Sequence, residues 1–201
     1  NYGLIIESSQ IYFNPGQSLS CYNNWYFPPT LEIYNSTLSG KNGASWNGIS
    51  VSHYYMINLY NVNISNIAGW ALQMSNCYNA NIYVSSMNIV ENNAGAIAYN
   101  NNLINSYISL VDNTITAGNR IAPIALINTS EATGEVTIVN NNISTAMEGN
   151  IGILITNASG DIKNNSFSNF AIGLNLMACQ LNLYQNSFIS SRDNSIGLNA
   201  L

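Results

Sequence analysis

The sequence predicts an all-β solenoid, in which short strands form coils that stack along one axis. Three observations favour this fold. Two short apolar motifs alternate along the chain, apolar and polar residues alternate within each copy, and Asn or Gly separates the copies. An alternation with period two is typical of a strand that buries one face, and no segment shows the period of an amphipathic helix.

The first motif places a turn residue between two apolar strand segments. Its copies are 33–39, 59–65, 110–116, 138–144 and 162–168, with degenerate copies at 82–88 and 183–189. The apolar residue after the turn recurs at steps of 26, 23, 28, 28, 24 and 21 residues, from Leu38 to Phe188. Such unequal steps around a constant motif indicate fixed strands joined by loops of variable length.

The second motif alternates with the first. Its copies are 48–51, 71–74, 96–99, 152–155 and 173–176, with looser copies at 121–127 and 197–198. One copy of each motif makes a coil of two or three strands, and coils stacked at about 4.8 Å form a parallel β-helix. We predict one such domain over residues 1–201, with about seven or eight coils and an irregular insertion at residues 12–30.

The repeats Asn-Asn-x-Ile-Ser and Gly-Ile-x-Val resemble those of the right-handed parallel β-helix superfamily, typified by pectate lyases and NosD-like repeat proteins. The resemblance covers residues 3–201 and implies a right-handed, single-stranded solenoid. It does not select a function, because proteins of unrelated function share this fold. Both chain ends resemble cut coils, so we expect an excerpt whose longer chain continues at both ends.

The interior is predicted from the period-two pattern. The expected buried residues are Ile33, Leu38, Ile49, Val51, Leu59, Ile64, Leu72, Met74, Ile82, Met87, Ile97, Leu110, Ile115, Ile124, Leu126, Ile138, Ile143, Ile153, Ile155, Ile162, Phe167, Leu174, Leu176, Leu183 and Phe188. The residues at the sharp turn are expected to form an internal ladder of side-chain hydrogen bonds between coils. They are Asn35, Asn61, Asp112, Asn140, Asn164 and Gln185.

An outward stripe of tyrosines is the main candidate binding site. Tyr34, Tyr60 and Tyr83 are expected to stack on three consecutive coils, beside Asn58 and Asn81. Aromatic rings flanked by amides suit the apolar faces and edge hydroxyls of sugar rings. The alternative is that tyrosines occupy these positions because they fit the surface of a strand.

Composition excludes several classes of protein. Four Lys and Arg against nine Asp and Glu give a net charge of −5, with no basic run for nucleic acid. No apolar stretch approaches the roughly 18 residues of a membrane helix. The hydrophobic content of 47% argues against a disordered chain.

The second motif offers little for catalysis. Its outward residues are Ser50, Gln73, Ala98, Ala125, Leu154 and Asn175, none of which suits a general acid or base. The remaining candidate cluster is Asn128, Glu131 and Glu135 in a long loop, with Asp112 and Arg120 one connection upstream. Asp112, Arg120, Glu131 and Glu135 are its candidate catalytic residues, and its oxygen ligands could hold Ca²⁺. No other metal or cofactor is predicted, and His53 is the only histidine.

The cysteines and the sequons bear on the compartment. Cys77 and Cys179 occupy the same station four coils apart, about 19 Å by strand spacing, too far for a disulfide, whereas Cys21 could reach Cys77. Triplets Asn-x-Ser/Thr favour an extracellular location.

We predict a non-catalytic segment of a secreted or cell-surface protein, a rigid stalk or adhesive surface with a glycan as its partner. The alternative is a polysaccharide lyase or glycoside hydrolase.

Overall fold

The computed structural model describes residues 3–23, 29–92, 95–100, 105–118, 122–127, 134–190 and 194–201, and gives the backbone alone for 91–92, 99–100 and 146–150. This part of the chain is built from strands, with a short 3₁₀ helix at Lys41–Gly43. The strands are β1 (Gly3–Glu7), β2 (Gln10–Phe13), β3 (Leu19–Tyr22), β4 (Thr30–Gly40), β5 (Ile49–Ser52), β6 (Met56–Ile67), β7 (Trp70–Ser75), β8 (Asn81–Ser85), β9 (Asn88–Asn92), β10 (Gly95–Asn100), β11 (Tyr107–Val111), β12 (Thr114–Ala117), β13 (Ile124–Ile127), β14 (Gly134–Val139), β15 (Asn142–Thr156), β16 (Ala158–Lys163), β17 (Ser166–Met177), β18 (Gln180–Tyr184), β19 (Ser187–Ile189) and β20 (Ile196–Ala200). Among the described residues, no helix has the length and apolar character needed to cross a membrane.

The strands form three faces, which the chain visits in the same order in every coil. The first face contains β1, the starts of β4 and β6, β8, β11, β14, β16 and β18. The second contains β2, the ends of β4 and β6, β9, β12, the starts of β15 and β17, and β19. The third contains β3, β5, β7, β10, β13, the ends of β15 and β17, and β20.

All these pairings are parallel, and their register stacks apolar residues on apolar residues. Ile33 pairs with Leu59 in the next coil, and Leu59 pairs with Val84 in the coil after that. A one-residue slip would turn each apolar side chain outward, so burial of one strand face fixes the register. The predicted all-β parallel solenoid is confirmed.

The apolar interior also agrees with the prediction. Every expected buried residue from Ile33 to Leu176 is buried. Leu183 and Phe188 are the exceptions, and Phe188 is 40% exposed. Both lie in the last coil, where β18 and β19 pair on one side only.

The turn between the first and second faces holds one residue in the left-handed conformation. Its φ is 48° at Asn35, 53° at Asn61, 56° at Asp112, 57° at Asn140 and 58° at Asn164. Asn and Asp adopt this conformation more readily than β-branched residues. All five side chains are exposed, so the internal ladder is not built from them, and the sequence prediction places it one residue too early.

These exposed turn residues hydrogen-bond to one another on the outside of the solenoid. Asn61 Nδ2 donates to Asn35 Oδ1 at 2.9 Å, and Asn140 Nδ2 donates to Asp112 Oδ1 at 3.1 Å. Gln185 has the same left-handed conformation, with φ of 50°, and is exposed like the others.

The internal ladder is formed by the residue after the turn, at Asn113, Asn141, Asn165 and Asn186. Asn113 Nδ2 donates to Asn141 Oδ1 at 2.8 Å, and Asn165 Nδ2 donates to Asn186 Oδ1 at 3.0 Å. The same amides donate to backbone carbonyls of the preceding coil, as Asn113 Nδ2 does to Val84 O at 3.0 Å. The ladder therefore satisfies buried polar groups inside an apolar column.

The degenerate copy at residues 82–88 is shifted by two residues. Ile82 pairs with Ile57, and Val84 is the residue that pairs with Leu59. The left-handed residue is Ser86, with φ of 53°. Ile64 consequently pairs with Ile89 rather than with Met87. Met87 is buried beside the ladder, and its backbone N–H donates to Asn113 Oδ1 at 3.0 Å.

The expected insertion at residues 12–30 is partly regular. Strand β3 lies within it and pairs with β5, with Cys21 opposite Val51. Cys21, Cys77 and Cys179 are free thiols, so the Cys21–Cys77 disulfide is not formed. Cys77 Sγ donates to Ser75 O at 3.4 Å, and Cys179 Sγ donates to Met177 O at 3.2 Å. Each thiol thus contacts the carbonyl oxygen two residues earlier, as expected for equivalent positions in two coils.

Candidate functional site

The outward side of the first face has three columns of side chains, each continued from coil to coil by the strand register. The first column is Gly3, Thr30, Met56, Asn81, Tyr107, Glu135, Ser159 and Gln180. The middle column is Ile5, Glu32, Asn58, Tyr83, Ser109, Thr137, Asp161 and Asn182. The third column is Glu7, Tyr34, Tyr60, Ser85, Val111, Val139, Lys163 and Tyr184.

The three predicted tyrosines do not share one column. Tyr34 and Tyr60 are in register, as expected. Tyr83 pairs with Asn58 instead of Tyr60, and Asn81 pairs with Met56. The expected column of three stacked tyrosines is therefore wrong, because the strand that carries Tyr83 is shifted by two residues.

The tyrosines instead form an oblique line across the first face. From Tyr60 to Tyr83, and from Tyr83 to Tyr107, the line advances one coil and moves two residues toward the strand start. The rings of Tyr83 and Tyr107 meet edge to face, with centroids 5.8 Å apart and planes at 60°. We call Tyr34, Tyr60, Tyr83 and Tyr107 the tyrosine diagonal.

The exposure of these rings decides which of them a ligand can reach. Tyr60 is 49% exposed and Tyr83 is 40% exposed, whereas Tyr34 and Tyr107 are half-buried. Each ring projects from a strand paired on both sides, so its position is set by the sheet. The tyrosine diagonal therefore offers two open rings between two more sheltered ones.

Hydrogen bonds fix the first ring of the diagonal. Tyr34 Oη donates to Glu32 Oε2 at 2.6 Å and accepts from Asn58 Nδ2 at 2.9 Å. Burial raises the pKa of Tyr34 to about 12, and the Glu32 carboxylate adds to the rise by accepting the phenol proton and by its charge. Asn58 thus supports the aromatic surface, while half-buried Asn81 stands beside Tyr107 in the first column.

No family model, curated protein or solved structure matches this chain.

The alternative catalytic cluster is not assembled by its described members. Asp112 follows the end of β11, whereas Glu135 is the second residue of β14 and not part of a loop. Asp112 is level with Asn140, five residues beyond Glu135, which separates them by about 17 Å along the face. Arg120 and Glu131, the other two residues of that cluster, lie outside the described residues, as does neighbouring Asn128.

A different pair of carboxylates lies closer together on the first face. Glu135 pairs with Ser159, and Asp161 stands two residues further along the same strand. The register places their Cα atoms about 8 Å apart. Asp161 Oδ1 accepts a hydrogen bond from Asn182 Nδ2 at 2.9 Å, and Lys163 follows in the third column.

The described residues contain no group of three or more His, Cys, Asp or Glu side chains that could hold a metal ion. The Asp112 carboxylate accepts from the Asn140 amide on the outside of the turn. The Ca²⁺ expectation involved Glu131 as well, which is not among the described residues.

The outward side of the third face carries small or neutral side chains. Ser50, Gln73, Ala98 and Ala125 continue one another in register, followed by Leu154 and Asn175. Ala98 and Ala125 are buried despite their outward register. This column supplies no acid, base or cation.

Sequence reasoning missed Tyr107 as a member of the aromatic surface. The sequence signal was present, because Tyr107 precedes Ile108 and Leu110 in a strand with period two. The strand pairs with β8 so that Tyr107 lies on the same side of the sheet as Tyr83. The predicted column of Tyr34, Tyr60 and Tyr83 leaves no place for Tyr107, because it puts Tyr83 two residues out of its observed register. The turn residue Ser86, which replaces the usual Asn, concealed the correct alignment.

Proposed function

We propose that this chain is a non-catalytic, rigid solenoid of a secreted or cell-surface protein, and that its first face binds neutral glycans. The observation that carries the proposal is the tyrosine diagonal, with Tyr60 and Tyr83 open to solvent on a paired sheet. Sugar rings have an apolar face that packs on aromatic rings, and hydroxyl groups that pair with nearby amides.

The charge distribution favours a neutral ligand. Residues 42–90 contain no Asp, Glu, Lys or Arg, and both exposed rings of the diagonal lie in that segment. An anionic polysaccharide would need cations to offset its desolvation, and this part of the first face offers none. A neutral chain can bind there through ring packing and amide hydrogen bonds.

The regular pairing supports the role of a rigid support. Parallel strand pairing on three faces connects each coil to the next. The internal asparagine ladder adds side-chain hydrogen bonds between the coils that carry Asn113, Asn141, Asn165 and Asn186. In a solenoid the stability is close to a sum of neighbouring contacts, and ligand-binding side chains keep fixed spacings along the axis. The resemblance of the repeats to pectate-lyase-like and NosD-like proteins supports a place outside the cytoplasm.

A second candidate function is a glycoside hydrolase of the same superfamily. It rests on Glu135 and Asp161, whose Cα atoms lie about 8 Å apart on neighbouring strands of the first face. Glycoside hydrolases use a pair of carboxylic side chains as acid and base or nucleophile. Against it, Asp161 already accepts from Asn182, and Glu135 is exposed at the edge of the face. The non-catalytic proposal is therefore preferred.

One experiment separates the two functions. The purified chain is screened on a glycan array carrying neutral and acidic polysaccharides, and the ligands found are incubated with it while reducing ends are counted. The proposal expects binding to neutral glycans with no release of reducing ends. Release that is lost in Asp161→Asn would support the hydrolase, and an array without neutral hits would contradict glycan binding.

A further inference from the structure

A groove of about 290 Å³ lies at the turn between the third and first faces, outside the tyrosine diagonal. Its described walls are three tyrosines, three asparagines and the chain's only histidine. Two consecutive turns contribute most of it, residues 53–55 after β5 and residues 76–79 after β7. None of these side chains carries a formal charge when His53 is neutral.

The aromatic part of the groove combines open rings with a buried one. Tyr55 is 42% exposed and Tyr78 is half-buried, so both can contact a ligand. Tyr54 is 8% exposed and packs inward, in the buried core cluster that also contains Cys21. Tyr54 therefore closes the inner side of the groove, while Tyr55 and Tyr78 supply ring surface.

The polar part of the groove is held in place by the solenoid. His53, Asn76 and Asn79 have left-handed φ values of 62°, 52° and 49°. Ser52 Oγ lies 2.9 Å from His53 Nδ1, and the Tyr22 ring meets the imidazole edge to face with centroids 5.5 Å apart. The turn backbone and the two contacts of the imidazole therefore hold these polar side chains at fixed positions around the groove.

The turns themselves are fastened to neighbouring coils. His53 N donates to Ser75 O at 3.3 Å, and Asn81 N donates to Tyr55 O at 2.8 Å. Asn105 Nδ2 in the following coil donates to Asn79 Oδ1 at 3.3 Å. The groove is thus preformed, which reduces the entropy lost when a ligand binds.

We propose that this groove binds one neutral sugar residue. Open aromatic rings beside amides and an imidazole match the apolar face and the edge hydroxyls of a pyranose. The lack of cations in the described walls disfavours phosphate or uronate, and a single histidine among amides is a poor metal site. The proposal rests on the proposed glycan-binding function and names a second contact site for it.

The groove also opens toward the first face. Tyr55 immediately precedes β6, and the Asn81 backbone that hydrogen-bonds to Tyr55 begins the strand carrying Tyr83. Tyr83 stands one coil and three residues from Tyr55, about 11 Å between Cα atoms. A glycan with one residue in the groove can therefore continue toward the tyrosine diagonal.

The test uses ligands that are too small to cover both sites. Methyl glycosides of glucose, mannose, galactose and N-acetylglucosamine are titrated into the chain, and the ring signals of His53 are followed by NMR. As His53 is the only histidine, these signals are unambiguous. We expect saturable shifts with at least one glycoside, and an affinity about two- to tenfold weaker in Tyr55→Ala or Tyr78→Ala.

Two controls separate the groove from the first face. Tyr12→Ala, on the second face, and Tyr60→Ala with Tyr83→Ala, on the first face, should leave the His53 titration unchanged. The absence of a saturable shift with every glycoside would overturn the groove site. Wild-type affinity in both Tyr55→Ala and Tyr78→Ala would overturn it as well. If longer glycans still bound, and their binding still required Tyr60 and Tyr83, the proposed function would hold without the groove site.

Discussion

The side-chain amide of Asn141 donates a hydrogen bond to Asn165 Oδ1 at 2.9 Å, across the boundary between two coils. The same Asn165 oxygen also accepts from the backbone N–H of Asn141 at 2.9 Å. One side chain thus satisfies both a backbone and a side-chain donor of the preceding coil. This contact makes the internal ladder a structural element that fixes how coils stack.

The ladder residue and the turn residue before it should respond differently to substitution. Asn141→Leu leaves Leu110 O and the Asn113 backbone N–H without their partners, and should lower the free energy of unfolding by about 3 kcal/mol. Asn140→Gly keeps the left-handed turn at an exposed position, so the free energy of unfolding should change by less than about 1 kcal/mol. Urea unfolding measures both, and equal losses would contradict the assignment of the ladder to Asn141.

The three thiols should differ in reactivity. Cys21 and Cys77 are buried, and burial raises the pKa of both thiols, which lowers their thiolate fraction. Cys179 is only half-buried. We expect iodoacetamide to label Cys179 first in the native chain and to reach the other two after unfolding. Mass spectrometry of labelled peptides measures the order, and early labelling of Cys77 would be inconsistent with its buried station.

The phenol of Tyr34 should link stability to alkaline pH. Its folded pKa is raised from 10.0 to about 12, so the folded state favours the protonated phenol. The resulting stabilisation is fully present below pH 10.0 and is lost as the pH rises through about 12. The free energy of unfolding should therefore fall more steeply across this window in the wild type than in Tyr34→Phe.

A second variant tests the cause of that linkage. Glu32→Gln removes the charge that opposes ionisation of Tyr34, so the difference between wild-type and Tyr34→Phe slopes should shrink in its background. The pH dependence of urea unfolding gives each slope. An unchanged difference would show that Glu32 does not raise the pKa of Tyr34.

The period-two pattern predicted the solenoid because burial of one strand face acts on every coil. It could not fix the column of Tyr83, because a shift by two residues keeps all apolar residues inside. Only the turn residue resolves that ambiguity, and at Ser86 the residue type does not mark the turn. The same limit placed the ladder at Asn140, where two consecutive asparagines offered no signal for which side chain turns inward.

The sequence did not predict the groove, for a different reason. Its walls come from turns after β5 and β7, whose residues lie more than 20 positions apart in sequence and follow no repeat pattern. His53 follows the last residue of β5, where a polar residue commonly closes a strand and gives no signal of a binding site. Only the stacking of coils brings it to the same groove as Tyr78 and Asn79.

The most direct test of glycan binding by the first face is calorimetric titration of a neutral oligosaccharide selected on the array. Replacing both Tyr60 and Tyr83 by Ala removes the two open rings of the tyrosine diagonal, and should weaken binding by about tenfold or more. Tyr12→Ala, which removes a ring that is 59% exposed on the second face, should bind like the wild type. Equal affinity of the wild type and the Tyr60→Ala, Tyr83→Ala variant, with both folded, would contradict the proposal.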